Sequence, residues 1–303
     1  MLPPDDFDPE IGQADLLEPG LRRIVAPNPS PMTYRGTNTY LLGRLEIAVI
    51  DPGPESADHL SAILAACPAP QRITQIFVTH SHVDHSPLAA ALAGATGAKI
   101  YAFGPSEAGR SEAMRACLAA GMKGGGEGID IDFSPDILMR DGSRHPAGDE
   151  EITAWHTPGH MGNHMCFAWQ DAVFCGDLVM GWASSLVSPP DGDLTAFMAS
   201  CRKLAETDWR IFHAGHGAPI EAPVARLNWL IEHRLGREAQ ILAALEAGPA
   251  TAEALARTIY TDTPAALLPA AARNVFAHLI DLHLNNRVSA APQLSAQAQF
   301  TLI

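Results

Sequence analysis

Residues 79–85 read T-H-S-H-V-D-H, which puts three imidazoles and one carboxylate within six positions. In extended backbone the side chains at i and i+2 point the same way, so His80 and His82 can share one metal ion. The turn that follows would aim Asp84 and His85 at a second point a few ångströms away. Imidazole and carboxylate donors at this density suit zinc, iron or manganese better than magnesium or calcium. A single histidine is ordinarily a structural or surface residue. Four such groups in one short loop have no evident packing use, because burying them without partners costs free energy.

A closed site for two ions needs donors from elsewhere, and three candidates stand just after strand-like segments. His160 follows T-P-G, Asp177 ends F-C-G-D, and His216 sits in H-A-G-H-G. Nearby glycines permit close backbone approach at such turns. Each of the three, taken singly, also fits an ordinary turn residue; together they form a set. Asp51, at its own strand end, reads as support for the His80 loop, and His164 and His213 as groups that orient ligands. His156 could face either way, and His145, in the polar D-G-S-R-H-P stretch, reads as a surface residue.

The elements that must position these donors follow from hydrophobic period and turn chemistry. Strands are expected at 21–25, 39–42, 47–50, 73–79 and 99–102, with helices at 57–67 and after Ser86, where Pro87 suits a first helical turn. Residues 105–130 read as a helix followed by G-M-K-G-G-G-E-G, a mobile loop or insertion. Strands return at 137–139, 151–156, 165–169, 172–174 and 210–214, with a helix at 194–204. From about 222 the pattern is helical, near 222–247, 251–259 and 265–284, and 286–288 with 300–303 could form a small β-wing. The expected division is an N-terminal extension 1–20, a catalytic domain 21–221 and a C-terminal winged-helix-like domain 222–303.

The chain has 303 residues, 47% of them hydrophobic, enough for a substantial core. The N-terminus, M-L-P-P-D-D-F-D-P-E, lacks the basic start and apolar run of a secretory signal, and no run spans a bilayer. Five cysteines, none in C-x-x-C, suit reduced thiols. A cytoplasmic location is therefore expected. The net charge of −14 disfavours nucleic acid as a partner at long range. The C-terminal helices lack the basic stripe that duplex binding would need.

The order His80-x-His82-x-Asp84-His85, His160, Asp177, His216, with Asp51 upstream, resembles the metallo-β-lactamase superfamily over about residues 20–220. N-P-S-P-M-T-Y-R-G-T-N-T-Y-L-L-G, D-P-G-P, S-P-P-D-G-D (188–193) and E-H-R-L-G-R-E (232–238) are similar to its β-lactamase-like-protein-2 subgroup. That resemblance implies an α/β fold: an αββα sandwich followed by a small winged-helix domain. It implies His80, His82 and His160 on one metal, Asp84, His85 and His216 on the other, and Asp177 between them. It also points to Tyr34, Arg35, Asp191 and the 181–193 loop as shaping a substrate pocket.

Two ions about 3.5–4 Å apart can share a hydroxide, because each lowers the pKa of bound water. Hydrolysis then needs no serine or cysteine nucleophile, and Asp84 is expected to orient the hydroxide as well as bind metal. Zinc is the expected ion, with iron or manganese as alternatives. The leading expectation is hydrolysis of an ester, thioester or lactone of a small metabolite. The alternatives are a single-strand endoribonuclease or phosphodiesterase, and a non-enzymatic ligand sensor that binds DNA. The winged helix could cover the active site or build a homodimer. No membrane partner is expected.

Overall fold

Alternation along the strands sets the layers. In 38–42 Tyr40 and Leu42 pack one way and Leu41 the other; in 46–50 Ala48 and Ile50 oppose Ile47 and Val49. Both faces are apolar, so each sheet must be covered on both sides. The computed structural model describes residues 7–124 and 128–303.

Among the described residues, seven strands form the first sheet in chain order: β1 (Ala14–Glu18), β2 (Leu21–Val25), β3 (Asn38–Leu42), β4 (Glu46–Ile50), β5 (Arg72–Phe77), β6 (Lys99–Ala102) and β7 (Ile137–Leu138). Pairing is antiparallel from β1 to β4 and parallel from β4 to β7. Helices α1 (Ala57–Ala65), α2 (Leu88–Thr96) and α3 (Glu112–Ala119) interrupt the series. The second sheet contains β8 (Arg144–Ala147), β9 (Glu150–His156), β10 (Met165–Trp169), β11 (Ala172–Gly176) and β12 (Ile211–Ala214), in spatial order β12-β11-β10-β9-β8. Helices α4 (Leu194–Ala205), α5 (Pro223–Leu245), α6 (Ala252–Ile259) and α7 (Leu268–Leu284) and the hairpin β13 (Val288–Ala291)–β14 (Gln299–Leu302) complete the chain.

Three clusters hold the sandwich. Tyr40, Ile50, Phe77, Ile152, Phe167 and Phe174 fill the space between the sheets. Ile63 of α1 and Leu88 and Leu92 of α2 cover the outer face of the first sheet, over Val49 and Ile76. Phe197 and Leu204 of α4, with Leu227 and Leu230 of α5, cover the second sheet over Val173 and Phe212. The result is an αββα sandwich with a C-terminal helical unit. Helix α5 serves both parts, because Ile241 and Leu245 at its far end pack instead with α6, α7 and the hairpin.

Several expectations change. Residues 14–18 fall within the expected extension, yet they form the edge strand β1, with Ala14 opposite Ile24. Arg144–Ala147, read as a surface turn, pairs with β9, and His145 is half-buried there with its Nε2 2.8 Å from Ser143 Oγ. The polar, Pro-containing composition hid a short strand that leads directly into its hairpin partner. Helix α3 lies inside 105–130 as expected; of the glycine-rich loop, positions 125–127 lie outside the described residues. The helix expected at 265–284 starts as a 3-10 turn, Ala265–Leu267, before α7. No described helix is long and apolar enough to cross a membrane. All five cysteines are free thiols.

Burial holds three histidines away from the metal loop in the neutral form. His59 and His213 are lowered from 6.5 to about 4, and His278 to about 3, in each case chiefly by burial. Below pH 6.5 the unfolded chain takes up protons on these rings while the folded protein does not. Folded stability therefore falls with pH, by about 1.4 kcal/mol per ring per pH unit, until the folded pKa is reached. Thermal melts at pH 7.5 and 5.0 should show this loss, and His278→Leu should make the dependence shallower.

Candidate metal centre

The donors stand on strand ends of both sheets. β5 runs out at Phe77, and Val78-Thr79 leads into His80; β9 leads to His160, β11 to Asp177 and β12 to His216. The T-P-G turn before His160 works because Gly159, at φ +146°, lies against helix α4, where an added Cβ would sit 2.2 Å from Phe197 Cα. Gly215 is equally constrained, since a Cβ there would lie 2.3 Å from Asp177 Oδ1 and 2.8 Å from His85 Cε1.

Seven side chains converge in two groups, His80, His82 and His160 in one, and Asp84, His85, Asp177 and His216 in the other. In the first, His80 Nε2 and His160 Nε2 each lie 3.0 Å from His82 Nδ1. In the second, His216 Nε2 is 3.2 Å from Asp84 Oδ2 and 3.3 Å from Asp177 Oδ2, and His85 Nε2 is 3.5 Å from Asp177 Oδ1. Asp177 Oδ2 also lies 3.7 Å from His160 Nε2, so this carboxylate faces both groups.

The outward edges of the rings are held in turn. Asp51 accepts from the Thr79 backbone N–H at 2.7 Å and from Thr79 Oγ1 at 2.8 Å, and its Oδ2 is 2.9 Å from His85 Nδ1. Thr79 Oγ1 is 3.0 Å from His80 Nδ1. His160 Nδ1 donates to Leu186 O at 2.6 Å and His216 Nδ1 to Gly36 O at 3.2 Å. With these edges committed, the other nitrogen of each of these rings is the one turned to the centre. His164, fully buried with Nδ1 3.0 Å from Thr157 Oγ1, packs its ring 5.1 Å from that of His80 rather than joining the donors.

Electrostatics separate the two groups. Burial and then the neighbouring imidazoles push His80 and His82 down, His82 to about 3, so they are neutral donors. Burial would lower His85 and His216 as well, but the carboxylates of Asp84 and Asp177 outweigh it, with Asp51 adding to the effect on His85. His216 rises to about 10 and His85 well above the imidazole range. Burial likewise opposes ionisation of Asp84 and Asp177, and the two cationic rings override it, holding both well below the carboxylate range.

The donor set fits a pair of cations. Among the described residues, His85 Nε2 and Asp177 Oδ1 are buried without a hydrogen-bond partner, a costly arrangement unless something else fills the space. Three imidazole nitrogens turned on one point are likewise better satisfied by a shared ion than by one another.

The centre opens into a cavity of about 500 Å³. His82, Asp84, His160, Asp177 and His216 form its floor, and Met32, Met180, Leu186, Leu267, Pro269 and Ala270 its largely apolar walls. Tyr34 and Arg35 do not line it. The chain turns at Tyr34, at φ +57°, and its ring packs on Phe7 and Trp182, while Arg35 bonds Phe7 O and pairs with Asp8. Ser30, Pro31 and Met32 of that loop take the wall position instead. Asp191 lies in a small adjoining cleft with His82, His160, Leu186 and Ser188, its carboxylate 2.6 Å from Arg110.

Sequence reasoning missed Thr79 as the link between Asp51 and His80, although its position beside the first histidine was a usable signal. It allowed that the C-terminal domain could cover the site but did not name the residues, because the A-L-L-P-A-A run of the 3-10 turn and α7 looks like any apolar helix start. His156 stacks on Phe103 at 3.8 Å with Nε2 3.0 Å from Gly162 O, so it supports the turn carrying His160. His213 packs between Tyr40 and Phe174, away from the centre.

Residues 32–216 match the family described as the metallo-beta-lactamase superfamily, and residues 251–295 the beta-lactamase associated winged helix domain. The chain is 31% identical over 287 residues to a Drosophila melanogaster protein named beta-lactamase-like protein 2 homolog, a match covering 88% of each chain. It is 32% identical over 248 residues to an atrochrysone carboxyl ACP thioesterase of Aspergillus fumigatus, covering 78% of this chain and 69% of that one. A solved beta-lactamase domain protein from Burkholderia ambifaria shares the fold, with a TM-score of 0.80 at 19% identity over 99% of this chain and 96% of that one.

Proposed function

The chain belongs to the metallo-beta-lactamase superfamily, and on that premise we propose that it is a dinuclear-metal hydrolase of an ester, thioester or lactone carried by a small acyl metabolite. The observation that carries this reading is the pairing of seven donors with an apolar-walled cavity directly above them. His80, His82 and His160 would hold one cation and Asp84, His85 and His216 the other, with Asp177 facing both. Divalent ions there, zinc in this reading and iron or manganese as alternatives, would supply Lewis acidity towards a carbonyl oxygen and make water more acidic.

The protein's own groups do the rest. Asp84 has the most exposed side chain of the four second-group donors, 23% accessible, and lies at the cavity floor, where it can orient the attacking water. Met32, Met180, Leu186 and Leu267 would take the acyl part and exclude bulk water. Arg273, at the cavity edge, also borders a polar cavity of about 340 Å³ that includes Lys123, which suits an acyl group on an anionic carrier. The similarity to a protein named as an acyl carrier protein thioesterase supports the same class.

The test is a screen of the metal-loaded protein against acyl thioesters, lactones, aryl esters and single-stranded RNA. Turnover of an acyl compound is expected; cleavage of RNA with no acyl turnover would replace this reading with the phosphodiesterase one. Because α7 walls the cavity, Ala270→Trp should raise KM for an acyl substrate by roughly tenfold with a smaller change in kcat, measured by steady-state kinetics.

A further inference from the structure

His160 is oriented through a single peptide group. Its Nδ1–H donates to Leu186 O at 2.6 Å, and the N–H on the other side of that same peptide, at Val187, donates to Asn274 Oδ1 at 3.1 Å. Asn274 Oδ1 also accepts from Arg234 Nη1 at 2.9 Å, so the amide oxygen faces two donors and its orientation is determined. Arg234 is 1% exposed; its Nη2 donates to Ser185 O, and its guanidinium lies 5.2 Å from the Phe197 ring, the residue on which Gly159 rests. Asn274 belongs to α7 and Arg234 to α5, in the E-H-R-L-G-R-E stretch.

We propose that Asn274 and Arg234, from the C-terminal helices, are positioning residues for His160, acting through the 186–187 peptide to set the geometry of the three-histidine group. From His160 to Asn274 the donors run in one sense, His160 Nδ1–H to Leu186 O and Val187 N–H to Asn274 Oδ1, so the polarised peptide presents a stronger acceptor to His160. Arg234 donates to the same oxygen from the other side and holds the amide in place. That bond fixes the tautomer in which Nε2 carries the lone pair.

Two further arginines hold the same loop. Arg226 donates to Met180 O at 2.8 Å and Ala183 O at 2.6 Å, and Arg273 to Ser188 Oγ at 2.9 Å and to Pro189 O. Among the described residues the C-terminal helices thus grip residues 180–189, which include cavity walls Met180 and Leu186, at six points, counting the Ser185 O and Val187 N–H contacts above. The inference rests on the metal-centre reading above.

The test is zinc binding by chelator competition on the full chain, read beside circular dichroism. The wild type should show two binding steps, and the step lost in His82→Ala identifies the three-histidine site. Asn274→Ala should weaken that step about 10- to 100-fold and leave the other within about threefold. Asn274→Asp, which keeps an oxygen facing both donors, should restore it to within about threefold of wild type. Arg234→Lys keeps the charge but loses the fork, and should weaken the same step several-fold even if Asn274→Ala does not fold.

Folded Asn274→Ala and Arg234→Lys proteins that bind zinc as the wild type does would overturn the proposal. So would equal weakening of both steps without rescue by Asn274→Asp, the mark of a merely structural role. A wild type that binds no zinc would instead overturn the metal-centre reading on which the proposal stands.

Discussion

Asp177→Ala is expected to lower kcat/KM by on the order of 10³-fold and bring bound metal below two ions per chain. The carboxylate is the one donor that faces both groups, with Oδ2 3.7 Å from His160 Nε2 and 3.3 Å from His216 Nε2, and Oδ1 3.5 Å from His85 Nε2. Removing it takes away the negative charge that would offset repulsion between two neighbouring cations in a buried site. A loss of about 4 kcal/mol of transition-state stabilisation, in the range expected for metal-ion catalysis, corresponds to that rate factor. Asp177→Asn keeps the shape and loses the charge, so it should fall between the two. Steady-state kinetics with elemental analysis decides the matter: a variant that keeps both ions and its turnover would remove Asp177 from the centre.

The second large effect is on folding. Asp51→Ala should destabilise the protein by about 3–5 kcal/mol, the cost of breaking a buried charged pair by removing one partner. Asp51 is 2% exposed, and its oxygens receive the Thr79 N–H, the Thr79 hydroxyl and His85 Nδ1. Without the carboxylate these donors are left in the core, where water does not reach them.

The consequence extends to both donor groups. His85 loses its orienting partner directly, and His80 loses it through Thr79 Oγ1. Chemical denaturation should therefore report the stability loss, and metal analysis should report weaker binding at both sites. Asp51→Asn, which presents an amide to at least one of these donors, should lie between wild type and Asp51→Ala. Wild-type stability in Asp51→Ala would show that other groups satisfy Thr79 and His85.

Much of the centre was legible before folding was considered. T-H-S-H-V-D-H carries its geometry locally, since a strand running into a turn fixes how residues two and four apart point. The G-H and G-D turns were legible only as a set, since each taken alone also fits an ordinary turn. The strands β3, β4 and β10 were legible as short apolar runs, and packing shows both of their faces covered. β1 and β8 escaped notice because an edge strand has little apolar face to show, and the latter carries a proline among polar residues.

The donor types and the local spacing of four of them were thus determined by the sequence itself, and the sandwich was implied by the family resemblance of its motifs. Only the tertiary structure decided that Met32 rather than Tyr34 reaches the cavity and that α7 closes its far wall. It alone brought Asn274 and Arg234 to the back of the peptide that holds His160. The physical reason is range: period and turn chemistry act over a few residues. Contacts between groups 26, 87 or more positions apart depend on sheet register and helix packing, which no local pattern encodes.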